Sequence, residues 1–364
     1  MKKIILIAIV LAIAISITAC VSRGDDSSKK QESQSSSSEE QSSQSSDNSQ
    51  SSKPADTTIE EVPVASEEEI LPPNLEKISA LDPANVPWGP GVQKDKEGRP
   101  TACVGLQEKY TKFSAHFIAP KEKKIYLTFD EGYENGNSAA ILDVLKDKEV
   151  SAVFFVTREY AKANPDLIKR MIDEGHIVGN HSAGHPNYTK VPVEKAMKAT
   201  TDLHQYMLDE YDYKMNLFRF PEGAFSEQTL ALVQALGYDT SFWSFAYMDW
   251  DPNKQMSTTD AFEKITKNTH EGAIYLLHAV SKTNAEILGD VIDFWREGGY
   301  EVAKYDINYG DKVDLPIRLT KEEAVLASQS SVEVSSQTSD NSVPTDETSS
   351  ETSSETSTES SSEK

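Results

Sequence analysis

An α/β fold built around a parallel sheet is what this sequence predicts between about Leu75 and Arg318. Three observations carry the prediction. Short apolar runs alternate with helix-like segments, and the stretch has the length of one α/β unit. Its conspicuous polar residues fall at or just beyond the C-terminal ends of the apolar runs. Barrels and open doubly wound sheets both gather their chemistry at that edge, so alternation alone leaves the closed and open forms in play.

The first strand is Ile125-Tyr-Leu-Thr-Phe129, followed by a helical stretch from Ser138 to Lys148. Ala152-Val-Phe-Phe-Val156 leads to a helix opened by Asn164-Pro165, where proline at the first helical position needs no amide partner. His176-Ile-Val-Gly179 is the next strand, and an amphipathic helix runs from Val193 to Glu210. Leu217-Phe-Arg-Phe220 precedes a helix capped by Ser226. Thr240-Ser-Phe-Trp243, Ala273-Ile-Tyr-Leu-Leu277 and Tyr300-Glu-Val-Ala303 supply later strands, with helices between them.

Asp130, His181, Arg219 with Glu222, Asp249 and His278 occupy the strand-end positions. His181 and His185 lie four residues apart. On a helix that spacing would place both rings on one face, but Gly184 and Pro186 argue for a turn, so loop geometry must make them converge. Paired imidazoles suit a borderline divalent cation such as zinc, with a carboxylate to complete the face. A second carboxylate beside such a cation can take the proton of its water. His-x-x-x-His alone is weak, and its weight comes from its company.

Five motifs occur in the order found in the polysaccharide deacetylases, the NodB-type enzymes of carbohydrate esterase family four. They are Thr128-Phe-Asp-Glu-Gly132, His181-Ser-Ala-Gly-His185, Arg219-Phe-Pro-Glu-Gly223, Asp249-Trp250 and Ile274-Tyr-Leu-Leu-His278. Trp88-Gly-Pro-Gly91, Gly132-Tyr-Glu-Asn-Gly136, Phe225-Ser-Glu227 and Ser281-Lys-Thr-Asn-Ala285 further resemble the branch that de-N-acetylates muramic acid for δ-lactam formation in spore cortex. The resemblance covers about Trp88 to Asp306 and implies a distorted (β/α) barrel of fewer than eight complete units.

The same resemblance implies roles. Asp130 matches the general base, Arg219 the arginine that holds this base ionised, and Asp249 the carboxylate that holds the arginine in turn. His181 and His185 match the metal-binding histidines, and the metal implied is zinc, with manganese or cobalt as alternatives. The family's third ligand is an aspartate, whereas this chain has Glu131, which either ligates at a shifted position or turns away. His278 matches the general acid for the departing amine. Leu276 and Trp250 match walls of the acetyl pocket. Glu222 stands where the family carries an aromatic and the δ-lactam branch a basic residue. An acidic side chain there would repel the lactyl carboxylate of muramic acid, while its backbone amide could still serve the oxyanion. The implied function is metal-dependent N-deacetylation of cell-wall glycan, with muramic acid of peptidoglycan as first choice. The alternatives are N-acetylglucosamine or another polysaccharide as substrate, a non-catalytic glycan binder, and a spacer lipoprotein.

The chain opens Met1-Lys2-Lys3, then an apolar run from Ile4 to Ile17, which reads as an export signal too short for a comfortable membrane span. Ile17-Thr18-Ala19-Cys20 resembles a bacterial lipobox, so Cys20 is expected to carry lipid and hold the protein on the outer face of a cell membrane. That leaves Cys103 as the one other cysteine, without a disulfide partner and expected to be buried. Residues 21–74 and 319–364 are rich in Ser, Glu and Asp and are expected to be disordered, the first as a tether. These tails hold about two thirds of the formal charge of −23, so the acidity is solvated and marks no binding face. No basic stripe exists to track nucleic acid, and the domain is expected to be a monomer.

Overall fold

Eight strands, all parallel, form the sheet of the computed structural model, which describes residues 71–86, 88–310 and 315–326. They are β1 (Ala115–His116), β2 (Lys124–Glu131), β3 (Val153–Val156), β4 (Ile177–Asn180), β5 (Leu217–Phe218), β6 (Asp239–Ser241), β7 (Ala273–Leu277) and β8 (Glu301–Val302). Their order is β1-β6-β5-β4-β3-β2-β7, with β8 paired to the first two residues of β2. The segment after β6 reaches β7 through a parallel bridge between Phe245 and Tyr275, and Leu276 donates to the Phe245 carbonyl at 2.9 Å. This contact curls the sheet into the distorted barrel that the resemblance implies.

Nine helices with both ends among the described residues pack around it: α1 (Leu75–Ser79), α2 (Thr101–Tyr110), α3 (Ser138–Asp147), α4 (Arg158–Ala163), α5 (Pro165–Asp173), α6 (Val193–Tyr211), α7 (Glu227–Ala235), α8 (Thr258–Thr266) and α9 (Lys282–Glu297). Pro165 opens α5 at its first turn, as expected. Ser226 caps α7 in a full capping box with Thr229, which satisfies two orphan amides reciprocally. The separate helix α4, capped by Thr157, was not anticipated, because its single turn and a half is too short to show a period. Strand β1 was missed for the same reason.

Strand alternation decides what each face does. On β2, Thr128 and Asp130 register with Val153 and Phe155 of β3, which register with Ile177 and Gly179 of β4. These positions point into the barrel, where Val153, Phe155, Leu217, Ile177 and Tyr305 form a small core of their own. Leu127, Phe129, Phe154, Val156 and Val178 point outward into the main core beneath the helices. Burial on both sides explains why these strands read as continuous apolar runs. Cys103 is buried in that layer, and burial pushes its thiol up to about 12.

The domain's edges differ from expectation. Residues 71–74, assigned to the tether, are paired: Leu319 donates to the Pro72 carbonyl at 2.9 Å, and Asn74 caps α1 and donates to Ile317. Thr320 and Glu323 form a reciprocal cap on a helical turn from residue 321, inside the stretch assigned to the acidic tail. Two short peptide segments satisfying one another's backbone groups leave little hydrophobic trace in a sequence. Cys20, the segment expected to be an export signal and the rest of the two stretches expected to be tails lie outside the described residues.

Candidate active site

The C-terminal ends of β2, β4, β5 and β7 open onto a cleft of about 570 Å³. Its lining includes Asp130, His181, His185, Glu222, Trp250, Leu276 and His278.

Asp130 is the last inward-facing residue of β2. One of its carboxylate oxygens accepts from Arg219 Nη1 at 2.8 Å. Arg219 is fully buried, and each of its five N–H groups has an acceptor. Nη1 also reaches Thr128 Oγ1 at 2.8 Å, Nε the Ser241 carbonyl at 2.9 Å, and Nη2 both Ser241 Oγ and the Phe242 carbonyl. Burial alone would raise the Asp130 pKa, but the charge of Arg219 beside it, together with the hydrogen bond from Arg219, holds the carboxyl below its ordinary value. Asp130 is therefore ionised at neutral pH.

His181 and His185 converge through the loop after β4, where Ser182, Gly184 and His185 all have positive φ. Their ring centroids lie 4.9 Å apart. His181 Nδ1 donates to the Arg219 carbonyl at 2.9 Å, which turns Nε2 toward Asp130, whose second oxygen is 3.7 Å away. Burial depresses the His181 pKa to about 4, against the opposing pull of Asp130, so the ring is neutral at neutral pH. A neutral imidazole whose far nitrogen donates to a backbone carbonyl is the arrangement that metal-binding histidines adopt. The pair thus fits a divalent cation, which these two imidazoles would hold.

Glu131 does not join them. It sits on the outward face of β2 with Phe129, is fully buried, and neither carboxylate oxygen has a hydrogen-bond partner. Among the described residues no three His, Cys, Asp or Glu side chains converge on a metal position. The assignment of Glu131 as third ligand is corrected accordingly: strand alternation sends it into the helix layer. Burial, with Glu134 and Asp130 nearby, raises its pKa well above the ordinary value of 4.5.

A pH-dependent stability follows. A carboxyl whose folded pKa exceeds its unfolded one weakens the fold as pH rises from the unfolded value toward the folded value, by about 1.4 kcal/mol per pH unit. Glu131→Gln removes that penalty. The variant is expected to melt above wild type at pH 7, with the gap closing near pH 4. Its zinc affinity by calorimetry should escape the ~10–100-fold loss typical of groups that support a metal. A lower melting temperature at pH 7 together with weakened zinc binding would restore Glu131 as a ligand.

Asp249 also departs from its expected place. It does not hold Arg219, whose donors are used elsewhere. Its two oxygens accept from the His278 ring at Nδ1 (2.7 Å) and the His278 backbone N–H (2.9 Å). Asn284 Nδ2, from the first turn of α9, donates to Asp249 at 2.7 Å, and the Tyr247 hydroxyl donates to the Asn284 carbonyl oxygen. Burial would depress the His278 pKa, but the hydrogen bond and charge of Asp249 raise it on balance. Nε2 is left as the proton-bearing atom facing the cleft. Asn284 and Tyr247 had no assigned role, although Asn284 stands within the Ser281-Lys-Thr-Asn-Ala285 motif already singled out.

Leu276 and Trp250 both line the cleft; Trp250 is half exposed, its ring 6.1 Å from His278. Glu222 has a φ of 61°, followed by Gly223 at 66°. A side chain on Gly223 would meet the Trp243 and Trp88 rings at 2.6 and 2.8 Å, so the tight turn needs glycine on both counts. The Glu222 carboxylate is tethered at the cleft mouth by Asn187 Nδ2 at 2.8 Å.

Comparison with known proteins gives the family and the fold. The polysaccharide deacetylase family model matches residues 118–241. A Bacillus subtilis protein named peptidoglycan-N-acetylmuramic acid deacetylase PdaA is 43% identical over 209 residues, which are 57% of this chain and 80% of that protein. This chain belongs to the polysaccharide deacetylase family. It is a deacetylase, with the carboxylate, arginine and histidine set described above at its cleft. A Listeria monocytogenes peptidoglycan-N-acetylglucosamine deacetylase, PgdA, is 30% identical over 64% of this chain and half of its own length. The solved structure of B. subtilis PdaA, a family 4 carbohydrate esterase, superposes with a TM-score of 0.59 at 39% identity, covering 62% of this chain and 97% of that one. A family 4 carbohydrate esterase from Bacillus anthracis gives 0.52 at 39% identity over the same shares.

Proposed function

We propose that this deacetylase is a metal-dependent enzyme of the bacterial cell wall that removes the N-acetyl group from muramic acid residues of peptidoglycan, as a step toward δ-lactam. It acts as a monomer on the outer face of the cell membrane, anchored by lipid on Cys20, a placement supported by the sequence of its first 20 residues. The observation that carries the catalytic reading is the pairing of Asp130 with Arg219 and of His278 with Asp249 at one cleft, beside two convergent imidazoles.

His181 and His185 would hold the cation, which when bound polarises the acetamide carbonyl and acidifies water. Asp130, kept ionised by Arg219, accepts a proton from the attacking water. The backbone amide of Glu222, in its left-handed turn, is the proposed donor to the oxyanion. Leu276 and Trp250 enclose the acetyl methyl. As the C–N bond breaks, His278 passes its Nε2 proton to the departing nitrogen, and the products are acetate and a glycan amine.

The identity to a muramic acid deacetylase supports that sugar. One observation favours N-acetylglucosamine instead: among the described residues the cleft lining holds Asp130 and Glu222 but no Lys or Arg to receive a lactyl carboxylate. Mass spectrometry of peptidoglycan fragments, with and without stem peptides, after incubation with the zinc-loaded protein decides between them. Acetyl loss confined to muramic acid is the expected result, and loss confined to glucosamine overturns it. No acetate release with zinc, manganese or cobalt would favour a glycan binder. Glu222→Lys is expected to raise kcat/KM on fragments with a free lactyl carboxylate by about tenfold, relative to wild type.

A further inference from the structure

Arg219 is held in its own plane by five hydrogen bonds, yet in-plane bonds do not stop a guanidinium from tilting out of that plane. Its guanidinium carbon lies over the Phe155 ring, 4.1 Å from the centroid. Trp243 is farther, at 5.7 Å. Phe155 is fully buried and registers with Asp130 on one side and Gly179 on the other, so all three face the barrel interior.

Gly179 is not in a left-handed conformation, so the backbone does not require glycine there. Space does. A Cβ on Gly179 would lie 2.4 Å from Phe155 Cδ1 and 2.5 Å from Cε1. The ring therefore lies directly over the Gly179 main chain, and only a missing side chain admits it.

We infer that Phe155 is a positioning residue of the deacetylation reaction: its ring, seated on Gly179, fixes the plane of Arg219 and through it the direction of the Asp130 carboxylate. The inference rests on the reading of Asp130 as general base. A buried cation over an aromatic face is the setting in which this interaction is strongest, because no water competes for the guanidinium. A phenyl ring also suits the site better than an aliphatic chain, since its flat surface matches a planar cation.

The test replaces Phe155 in the full-length chain by 4-fluoro-, 3,5-difluoro- and 3,4,5-trifluorophenylalanine, which drain ring electron density and nearly preserve shape. With the zinc-loaded protein and an acetylated glycan, kcat is expected to fall stepwise, by about tenfold at the trifluoro ring, with KM within about twofold. A trifluoro variant with wild-type kcat overturns the inference, because packing alone would be unmoved by fluorine. Absence of turnover in wild type would instead overturn the general-base reading. A second arm needs no turnover. Gly179→Ala is expected to lower the melting temperature, and adding Phe155→Leu to recover it by removing the clash; an unaffected Gly179→Ala overturns the seating.

Discussion

Replacing Asp249 by asparagine is expected to lower kcat on acetylated glycan by about a thousand- to ten-thousand-fold while the domain remains folded. The reason is the tautomer and charge of His278. Asp249 accepts from His278 Nδ1 and from the same residue's backbone N–H, so it fixes both the ring's orientation and the atom that carries the cleft-facing proton. An amide in its place can present an N–H to Nδ1, which forces Nδ1 to accept, keeps the ring neutral and opposes the imidazolium that the acid requires. The charge is lost as well. His278 is needed protonated, and Asp249 raises its pKa, so the rate should fall on the basic side as pH climbs through that value. Without Asp249 the pKa drops and the basic limb moves to lower pH. A pH–rate profile checks this, and an unchanged basic limb in the variant would remove His278 as the acid.

Arg219→Met is the substitution with the largest expected effect on stability, about 3–5 kcal/mol in urea unfolding of chelator-treated protein at pH 7. Arg219 is fully buried and is the cation paired with Asp130. Removing it leaves a desolvated carboxylate, and also strips the donor from the carbonyls of Ser241 and Phe242. The sign with pH follows from Asp130. In wild type its pKa is depressed, so the pairing stabilises above the unfolded value and is lost as pH falls through the folded one. In the variant the carboxyl instead favours protonation, so its penalty grows with rising pH. The gap between the two proteins should be widest at pH 7 and narrow toward pH 4. A uniform gap across that range would show that the lost hydrogen bonds, not the charge, dominate.

Most strands and several helices could be read directly, because β2, β3 and β7 are continuous apolar runs and Pro165 and Ser226 announce helix starts. The residues at the cleft were also legible, since ordered motifs mark Asp130, His181, His185, Arg219 and His278. Their pairings were not. Asp249 could serve Arg219 or His278 as far as spacing tells, and only the meeting of β7 with the loop after β6 assigns it to the histidine. Glu131 follows Asp130 directly, and a motif treats neighbours as one unit. The pleat does not, and it puts them on opposite faces of the strand.

By itself, then, the chain's order of residues determined a parallel α/β domain, the chemistry available at its strand ends, and a likeness specific enough to imply the reaction. Tertiary structure alone decided which carboxylate guards which base or acid, that Glu131 is buried away from the imidazoles, and that Gly179 makes room for Phe155. Local composition reports what a residue prefers, whereas partners are set by which strands lie side by side and which way each side chain leaves the sheet.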